Sequence, residues 1–258
     1  MTGQQPQMLL VEDAWGKRQL AWMQREVAGA GQGKPGVFWL PGFNSVMTSS
    51  KATALDAWAE HDGRALTRFD YSGHGQSEGR FQDGCIGQWL ADARAAFDQL
   101  TEGPQIVVGS SMGGYLALLL ALTKPGRLSG LVLLAPAWNM TERLMWDEMD
   151  AKTRKTLERD GVWMRPSAYG DPYNISKKLV EEGREHLIDL FDLNVGCPLR
   201  ILHGVKDADV PFDGSVTLIQ RQGDTDSRLI AVPDGDHRLA REQDIALLIQ
   251  LIEELSNT

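Results

Sequence analysis

The stretch Gln105-Ile106-Val107-Val108-Gly109-Ser110-Ser111-Met112-Gly113-Gly114-Tyr115 decides the fold. Ile106 to Val108 reads as a buried strand, and Tyr115 to Thr123 as a strongly apolar helix. Between them Gly109 to Gly113 forms the pattern G-x-S-x-G, with Ser111 in the serine position and Ser110 as the x before it. A serine hydroxyl is a weak nucleophile and must project free of its neighbours toward a base. A tight strand-to-helix turn achieves this, and small residues two positions to either side let strand and helix approach. The bland alternative is a glycine-rich turn whose serine only caps the helix. A strand leading in and a helix leading out favour the nucleophile. The unpaired N–H groups at the helix start attract negative charge, which makes the Met112 N–H a natural oxyanion donor.

Outward from this turn the same rhythm repeats. Val37–Leu40, Ala65–Phe69, Leu131–Leu134, Leu199–Leu202 and Leu229–Val232 read as short strands. Lys51–His61, Ile86–Leu100 and Ile245–Leu255 read as helices; in the second, Ile86, Trp89, Leu90, Ala93, Phe97 and Leu100 fall three and four apart. Met8–Glu12 and Arg18–Glu26 predict a β-hairpin, and Ala28–Gly36 a glycine-rich loop. Apolar strands alternating with helices predict a mostly parallel sheet covered on both faces. Between Leu134 and Leu199 lies a stretch too long for a plain crossover. It is expected to be a helical cap or lid over residues 137–196, inserted into a single domain spanning 1–258.

A serine nucleophile needs a base and an acid, which in this kind of fold follow it in the order acid, then histidine. Five histidines are present: His61, His74, His186, His203 and His237. His237 lies after the strand Leu229–Val232 and before the last helix, at the edge where open α/β sheets place their sites. It is the expected base. His203 follows Leu199–Leu202 directly and is expected to be structural. Asp207, on the loop after that strand, is the expected acid, with Asp209 as a rival and Asp213 behind it. Asp236 adjoins His237 in sequence and is poorly placed to orient its ring. A second oxyanion donor should come from the loop Leu40-Pro41-Gly42-Phe43-Asn44, as the Phe43 N–H; the side chain of Asn44 or Ser45 is the alternative.

With these residues in place the chain resembles the α/β-hydrolase-domain family. More narrowly it resembles the branch containing the mitochondrial acyl-protein (palmitoyl-protein) thioesterase, also described as an acyl-glucuronide esterase. The resemblance rests on Leu40–Ser45 with Lys51-Ala52, Arg68–Ser77, Gly103–Gly114, Gly161-Val162-Trp163, His203–Asp207 and Asp236-His237-Arg238. It covers roughly residues 36–255. The elbow and the Asp70-x-x-Gly73-x-Gly75-x-Ser77 turn are common to many such proteins. Gly103-Pro104-Gln105 and Asp70-Tyr71-Ser72-Gly73 are narrower. Pro41-Gly42 stands where many relatives carry His-Gly, a change that keeps the backbone donor. The resemblance implies an α/β-hydrolase fold with nucleophile, acid and base on Ser111, Asp207 and His237, the residues reached independently above.

The expected chemistry is hydrolysis of a carboxylic ester or thioester through an acyl-enzyme, with no metal and no cofactor. The substrate is expected to be a small-molecule or acyl-protein ester or thioester. Trp138, Met140, Met145, Trp146, Trp163, Met164, Tyr169 and Tyr173 in the cap segment are candidates for an apolar acyl pocket, with Trp138, Trp146 and Trp163 foremost. The alternatives are a C–C bond hydrolase or perhydrolase on the same residues, and an inactive binding module. A haloalkane dehalogenase needs a carboxylate where Ser111 stands.

The bulk properties agree. In 258 residues, 42% hydrophobic and 24% charged, there is ample apolar material for one core. The net charge of −9, without a basic run, argues against a nucleic-acid partner. The longest apolar run, Leu116–Leu122, is far short of the ~20 residues that span a bilayer. Met1–Pro6 lacks the basic flank and apolar core of a signal peptide. Cys85 and Cys197 have no metal spacing and are expected to be buried thiols in a reducing, cytoplasmic setting.

Overall fold

The computed structural model of the chain describes residues 5–124, 126–166, 172–191, 193–222 and 226–257. The chain opens with the expected antiparallel hairpin, β1 (Gln7–Asp13) and β2 (Gly16–Arg25). Then strand and helix alternate: β3 (Gly36–Leu40), α1 (Ser50–Asp62), β4 (Leu66–Phe69), α2 (Ile86–Leu100), β5 (Gln105–Ser110), α3 (Met112–Ala121) and β6 (Leu128–Leu134). After a long excursion come α4 (Ala151–Asp160), β7 (Val162–Arg165), β8 (Tyr173–Ser176), α5 (Lys177–Gly183), β9 (Leu199–Gly204), α6 (Phe212–Gln220), β10 (Ser227–Val232) and α7 (Glu242–Ser256).

Eight strands form one sheet in the order β1-β2-β4-β3-β5-β6-β9-β10. From β4 to β10 every pairing is parallel; β1–β2 and β2–β4 are antiparallel. The parallel strands are apolar on both faces because both faces are covered. Side chains alternate across the sheet and divide between two clusters. Phe38, Leu40, Val107, Leu131, Leu133 and Ile201 enter one, with residues of α2 and α3. Val37, Trp39, Ile106, Val108, Val132, Leu134 and Leu202 enter the other, with α1 and α7. The helical spacing read in α2 marks its inner face: Ile86, Trp89, Leu90, Ala93 and Phe97 are buried. All of α3 is buried, as expected of a helix apolar all round.

Between β6 and β9 lie a π-helical turn (Thr141–Trp146), α4, α5 and a two-stranded antiparallel sheet, β7 with β8. To the helices expected here, β7 and β8 add a small sheet built from Val162, Trp163, Tyr173 and Ile175, residue types that favour strands. The segment is tied to the core by polar contacts. Glu182 on α5 accepts hydrogen bonds from the Gly87 N–H at the start of α2 (3.0 Å), and the Tyr115 hydroxyl donates to His186 O (2.6 Å). Asn139 exchanges two hydrogen bonds with the Ile188 backbone, at 2.7 and 3.0 Å. Both cysteines are buried and unbridged. No helix of the described residues is long and apolar enough to cross a membrane.

Candidate active site

The site forms where β3, β5, β9 and β10 end. At the end of β5 the chain turns within one residue. Ser111 has φ 55° and ψ −117°, a conformation that costs a residue with a side chain on the order of 1–3 kcal/mol. The surroundings hold it there. The Ser111 N–H donates to Leu134 O (2.8 Å), and its own carbonyl accepts from Gly114, Tyr115 and Ala137. The glycines of the pattern meet the packing expectation: a Cβ on Gly109 would lie 2.3 Å from Gly113 O. α3 starts at the next residue, Met112. The Ser111 side chain thus stands at the head of a helix, partly exposed.

Residues far apart in the chain converge on its hydroxyl. His237, on the loop after β10, places Nε2 3.1 Å from Ser111 Oγ. Its Nδ1 lies 2.7 Å from Asp207 Oδ2 on the loop after β9. The carboxylate makes Nδ1 the protonated nitrogen, which leaves the Nε2 lone pair facing the serine. Asp207 is the carboxylate hydrogen-bonded to the ring, and its side chain is fully buried. Burial alone would raise its pKa. Hydrogen bonds from His203 and His237 outweigh that and hold the carboxyl well below its usual range.

The rival acids are placed differently. Asp213 is exposed in the first turn of α6, and Asp236 Oδ1 accepts from the Arg238 and Leu239 N–H groups of its own loop. Asp209 is closer: donor atoms of Asp207, Asp209 and His237 lie within 4.8 Å of one another, a spacing that admits a metal ion. The 2.7 Å bond between His237 and Asp207 and the 3.1 Å contact of Nε2 with Ser111 suit proton transfer rather than metal ligation.

The loop after β3 faces the elbow. Among the described residues, neither the Phe43 nor the Met112 N–H donates to a protein acceptor. Two buried groups set the path of this loop. The Asn44 N–H donates to His74 Nε2 (3.2 Å), and His74 Nδ1–H in turn donates to Ser72 O (3.2 Å). Burial pushes the His74 pKa down to about 4. Asp70 accepts from the Met47 N–H (2.7 Å) and the Gln76 N–H (3.0 Å), while burial raises its pKa. The Asp70-x-x-Gly73-x-Gly75-x-Ser77 turn therefore braces the loop that carries Phe43. In the sequence this turn stands only as a shared motif, and His74 within it carries the signal of its task.

Two cavities meet at Ser111, His237, Phe43 and Tyr173. One encloses about 130 Å³ and is lined chiefly by Met140, Leu144, Met145, Ile175 and Val210, with Arg165 and Asp209 among its polar lining. The other encloses about 230 Å³, with Ser45, Ser49, Ser50, Lys51 and Arg238 in its wall. The Lys51 ammonium donates to Arg238 O. Burial first, and the charge of Arg238 second, push the Lys51 pKa down to about 8, against the opposing pull of Asp236 and Asp244.

Trp138, Trp146 and Trp163 line neither of these cavities. Trp138 turns its ring nitrogen to Gly214 O (3.0 Å) under the Arg143 guanidinium. The guanidinium groups of Arg154 and Arg184 lie 4.6 and 4.8 Å from the centroid of the Trp146 ring, and Trp163 packs on the apolar cluster. Their flat faces are used to hold the segment together. Of the other candidates, Met140, Met145 and Tyr173 do line the wall beside Ser111, and Met164 is exposed. Tyr169 lies outside the described residues.

A family described as serine aminopeptidase, S33 matches residues 32–182. The human mitochondrial palmitoyl-protein thioesterase ABHD10 is 36% identical over 223 residues, 86% of this chain and 72% of that protein. Mouse alpha/beta hydrolase domain-containing protein 10 superposes with a TM-score of 0.85 at 32% identity, covering 96% of this chain and 98% of that one. A solved structure from Agrobacterium vitis S4 superposes with a TM-score of 0.92 at 35% identity, covering 98% of each chain. The chain therefore belongs to the α/β-hydrolases, in the family described as serine aminopeptidase, S33, and alongside ABHD10 within it.

Proposed function

We propose that the protein is a serine hydrolase of carboxylic esters and thioesters, with Ser111 as nucleophile, His237 as general base and acid, and Asp207 as the orienting acid. The observation that carries this is the unbroken hydrogen-bond line from Asp207 through His237 to Ser111 on a strained elbow. Membership beside a palmitoyl-protein thioesterase supports the ester or thioester as the bond cleaved.

His237 Nε2 takes the proton as Ser111 Oγ attacks the acyl carbon. The carbonyl oxygen becomes an oxyanion between the Phe43 and Met112 N–H groups, each such donor contributing about 3 kcal/mol. Asp207 stabilises the imidazolium. The tetrahedral intermediate collapses as His237 returns the proton to the leaving alkoxide or thiolate. Water then adds to the acyl-enzyme by the same proton path, releasing the acid and Ser111.

The described part of residues 137–196 acts as a cap that shapes the acyl site. The cavity walled by the side chains of Met140, Leu144, Met145 and Ile175 suits the acyl chain, and the one walled by Ser45, Ser49 and Lys51 suits the leaving group. At about 130 Å³ the cavity beside Met140 and Met145 is below the ~300 Å³ typical of drug-sized sites, which favours a medium chain over a long one held in full. Two buried unbridged thiols support a reducing compartment such as the cytoplasm.

A fluorophosphonate probe is expected to label the wild type and not Ser111→Ala. A panel of p-nitrophenyl esters, thioesters and acyl-glucuronides, compared by kcat/KM, then ranks the leaving groups. Activity confined to p-nitrophenyl acetate sinks the acyl-chain assignment, and equal labelling of Ser111→Ala sinks the nucleophile.

A further inference from the structure

The carboxylate of Asp207 is shared between two histidines. Its Oδ2 accepts from His237 Nδ1 at 2.7 Å and lies 3.2 Å from His203 Nε2. Its Oδ1 accepts from the Asp209 and Val210 N–H groups at 2.9 and 2.8 Å. His203 is fully buried at the end of β9, edge-on to Phe212. Its Nε2 also lies 3.0 Å from Val210 O, and its Nδ1 lies 2.7 Å from Ser215 Oγ on α6.

The bonding pattern fixes the protons. Asp207 Oδ2 and Val210 O only accept, so Nε2 carries the hydrogen. In the neutral ring Nδ1 then accepts from the Ser215 hydroxyl, and every polar atom of the ring is satisfied. A buried ring with three partners has no freedom to turn.

We propose that His203, locked by Ser215, is a positioning residue that fixes and weakens the Asp207 carboxylate acting on His237. This rests on the reading of Ser111, Asp207 and His237 given above. The line then runs Ser215, His203, Asp207, His237, Ser111, from α6 across two strand ends to the elbow. His203 prevents Oδ2 from swinging about the Cβ–Cγ bond, a movement the two Oδ1 bonds restrain only from the far side. By donating to Oδ2 it also drains charge from the atom that holds His237. The ionisable groups near Asp207 include His203, His237 and Asp209, with Lys206 its neighbour in the chain.

Three variants test this. His203→Leu keeps bulk and removes the donor; His203→Gln returns an amide N–H near the place of Nε2. Ser215→Ala removes only the hydroxyl that locks the ring. His203→Leu is expected to lose at least about tenfold in kcat with KM little changed, since small misplacements of reacting groups are costly. The acid limb of its kcat/KM profile should move to higher pH, because a less encumbered carboxylate holds the imidazolium more strongly. His203→Gln should restore most of kcat and return the limb. Ser215→Ala should move both readouts in the direction of His203→Leu, by less, and it decides the matter if His203→Leu does not fold by thermal melting. A merely structural His203 moves stability and leaves the limb in place. The proposal is overturned by an unmoved limb in whichever of His203→Leu and Ser215→Ala is folded, or by a His203→Gln no better than His203→Leu. Retention of full activity by Ser111→Ala overturns the underlying reading instead.

Discussion

Gly113 on α3 rests against the carbonyl of Leu40 at the end of β3: a Cβ on Gly113 would stand 2.0 Å from Leu40 O. The contact joins the elbow to the loop that carries Phe43. Neither partner can yield cheaply, because one is helix backbone and the other ends a buried strand.

Gly113→Ala is therefore expected to cost about 1–3 kcal/mol of stability, as overpacking does. It should also push the Phe43 N–H away from the oxyanion and lower kcat more than KM rises. Thermal melting and steady-state kinetics measure the two effects. A variant with wild-type melting and wild-type kcat contradicts the packing account.

His74 gives a second, pH-dependent test of the same loop. Its Nε2 accepts from the Asn44 N–H, and burial pushes its pKa down to about 4, from 6.5 in the unfolded chain. Between these values the unfolded state binds more protons, so stability is full above about pH 6.5 and declines as pH falls toward 4. His74→Phe keeps a ring and removes both the acceptor and the proton site. It should flatten that part of the stability profile and lower kcat about tenfold through a looser oxyanion loop. Chemical denaturation at a series of pH values checks the slope; a slope as steep as that of wild type contradicts it.

The parts of the site legible in the sequence were those fixed by local backbone constraint. Gly109 and Gly113 announce the elbow because no larger residue fits there, and Asp207 and His237 follow strands whose apolar runs are unmistakable. The cap was less legible. Trp138 and Trp146 look like pocket residues by type, yet arginines and a backbone carbonyl occupy their rings. Which face an aromatic ring presents depends on neighbours distant in sequence, such as Gly214 and Arg184. His203 was read as structural from its place after a buried strand. Its bond to Asp207 four residues on depends on how the β9 loop turns back, which one sequence does not encode visibly.

Lys51 should govern the cavity it lines beside Ser111. Its ammonium donates to Arg238 O next to His237, and burial sets its pKa near about 8. The unfolded chain holds the proton up to about 10.5, so this group makes the protein more stable as pH rises from about 8 through that window. In the folded protein the cavity loses a positive charge over the same rise. Substrates with anionic leaving groups are expected to show a fall in kcat/KM above about pH 8 that neutral ones do not show. Lys51→Met should abolish the difference. Matching profiles for both substrate classes in the wild type contradict the assignment.

The choice of acid can be decided by comparing Asp207 with Asp209. Asp207 is fully buried and accepts from two imidazoles and two backbone N–H groups. Asp209 has a carboxylate oxygen close by, but its Oδ2 is buried without a partner among the described residues. Asp207→Asn puts an amide against His237 Nδ1 and favours the wrong tautomer, a change worth about 10⁴ in kcat where such a carboxylate serves a serine. Asp209→Asn leaves the His237–Asp207 bond intact and should stay within about tenfold of wild type. Since the folded pKa of Asp207 is depressed, the stability it contributes is present above about 3.8 and is lost only well below that, as pH falls through the folded value. Asp207 therefore stays ionised through the neutral range, and the pH profile of Asp209→Asn should keep the wild-type shape. A greater loss in Asp209→Asn than in Asp207→Asn reverses the assignment.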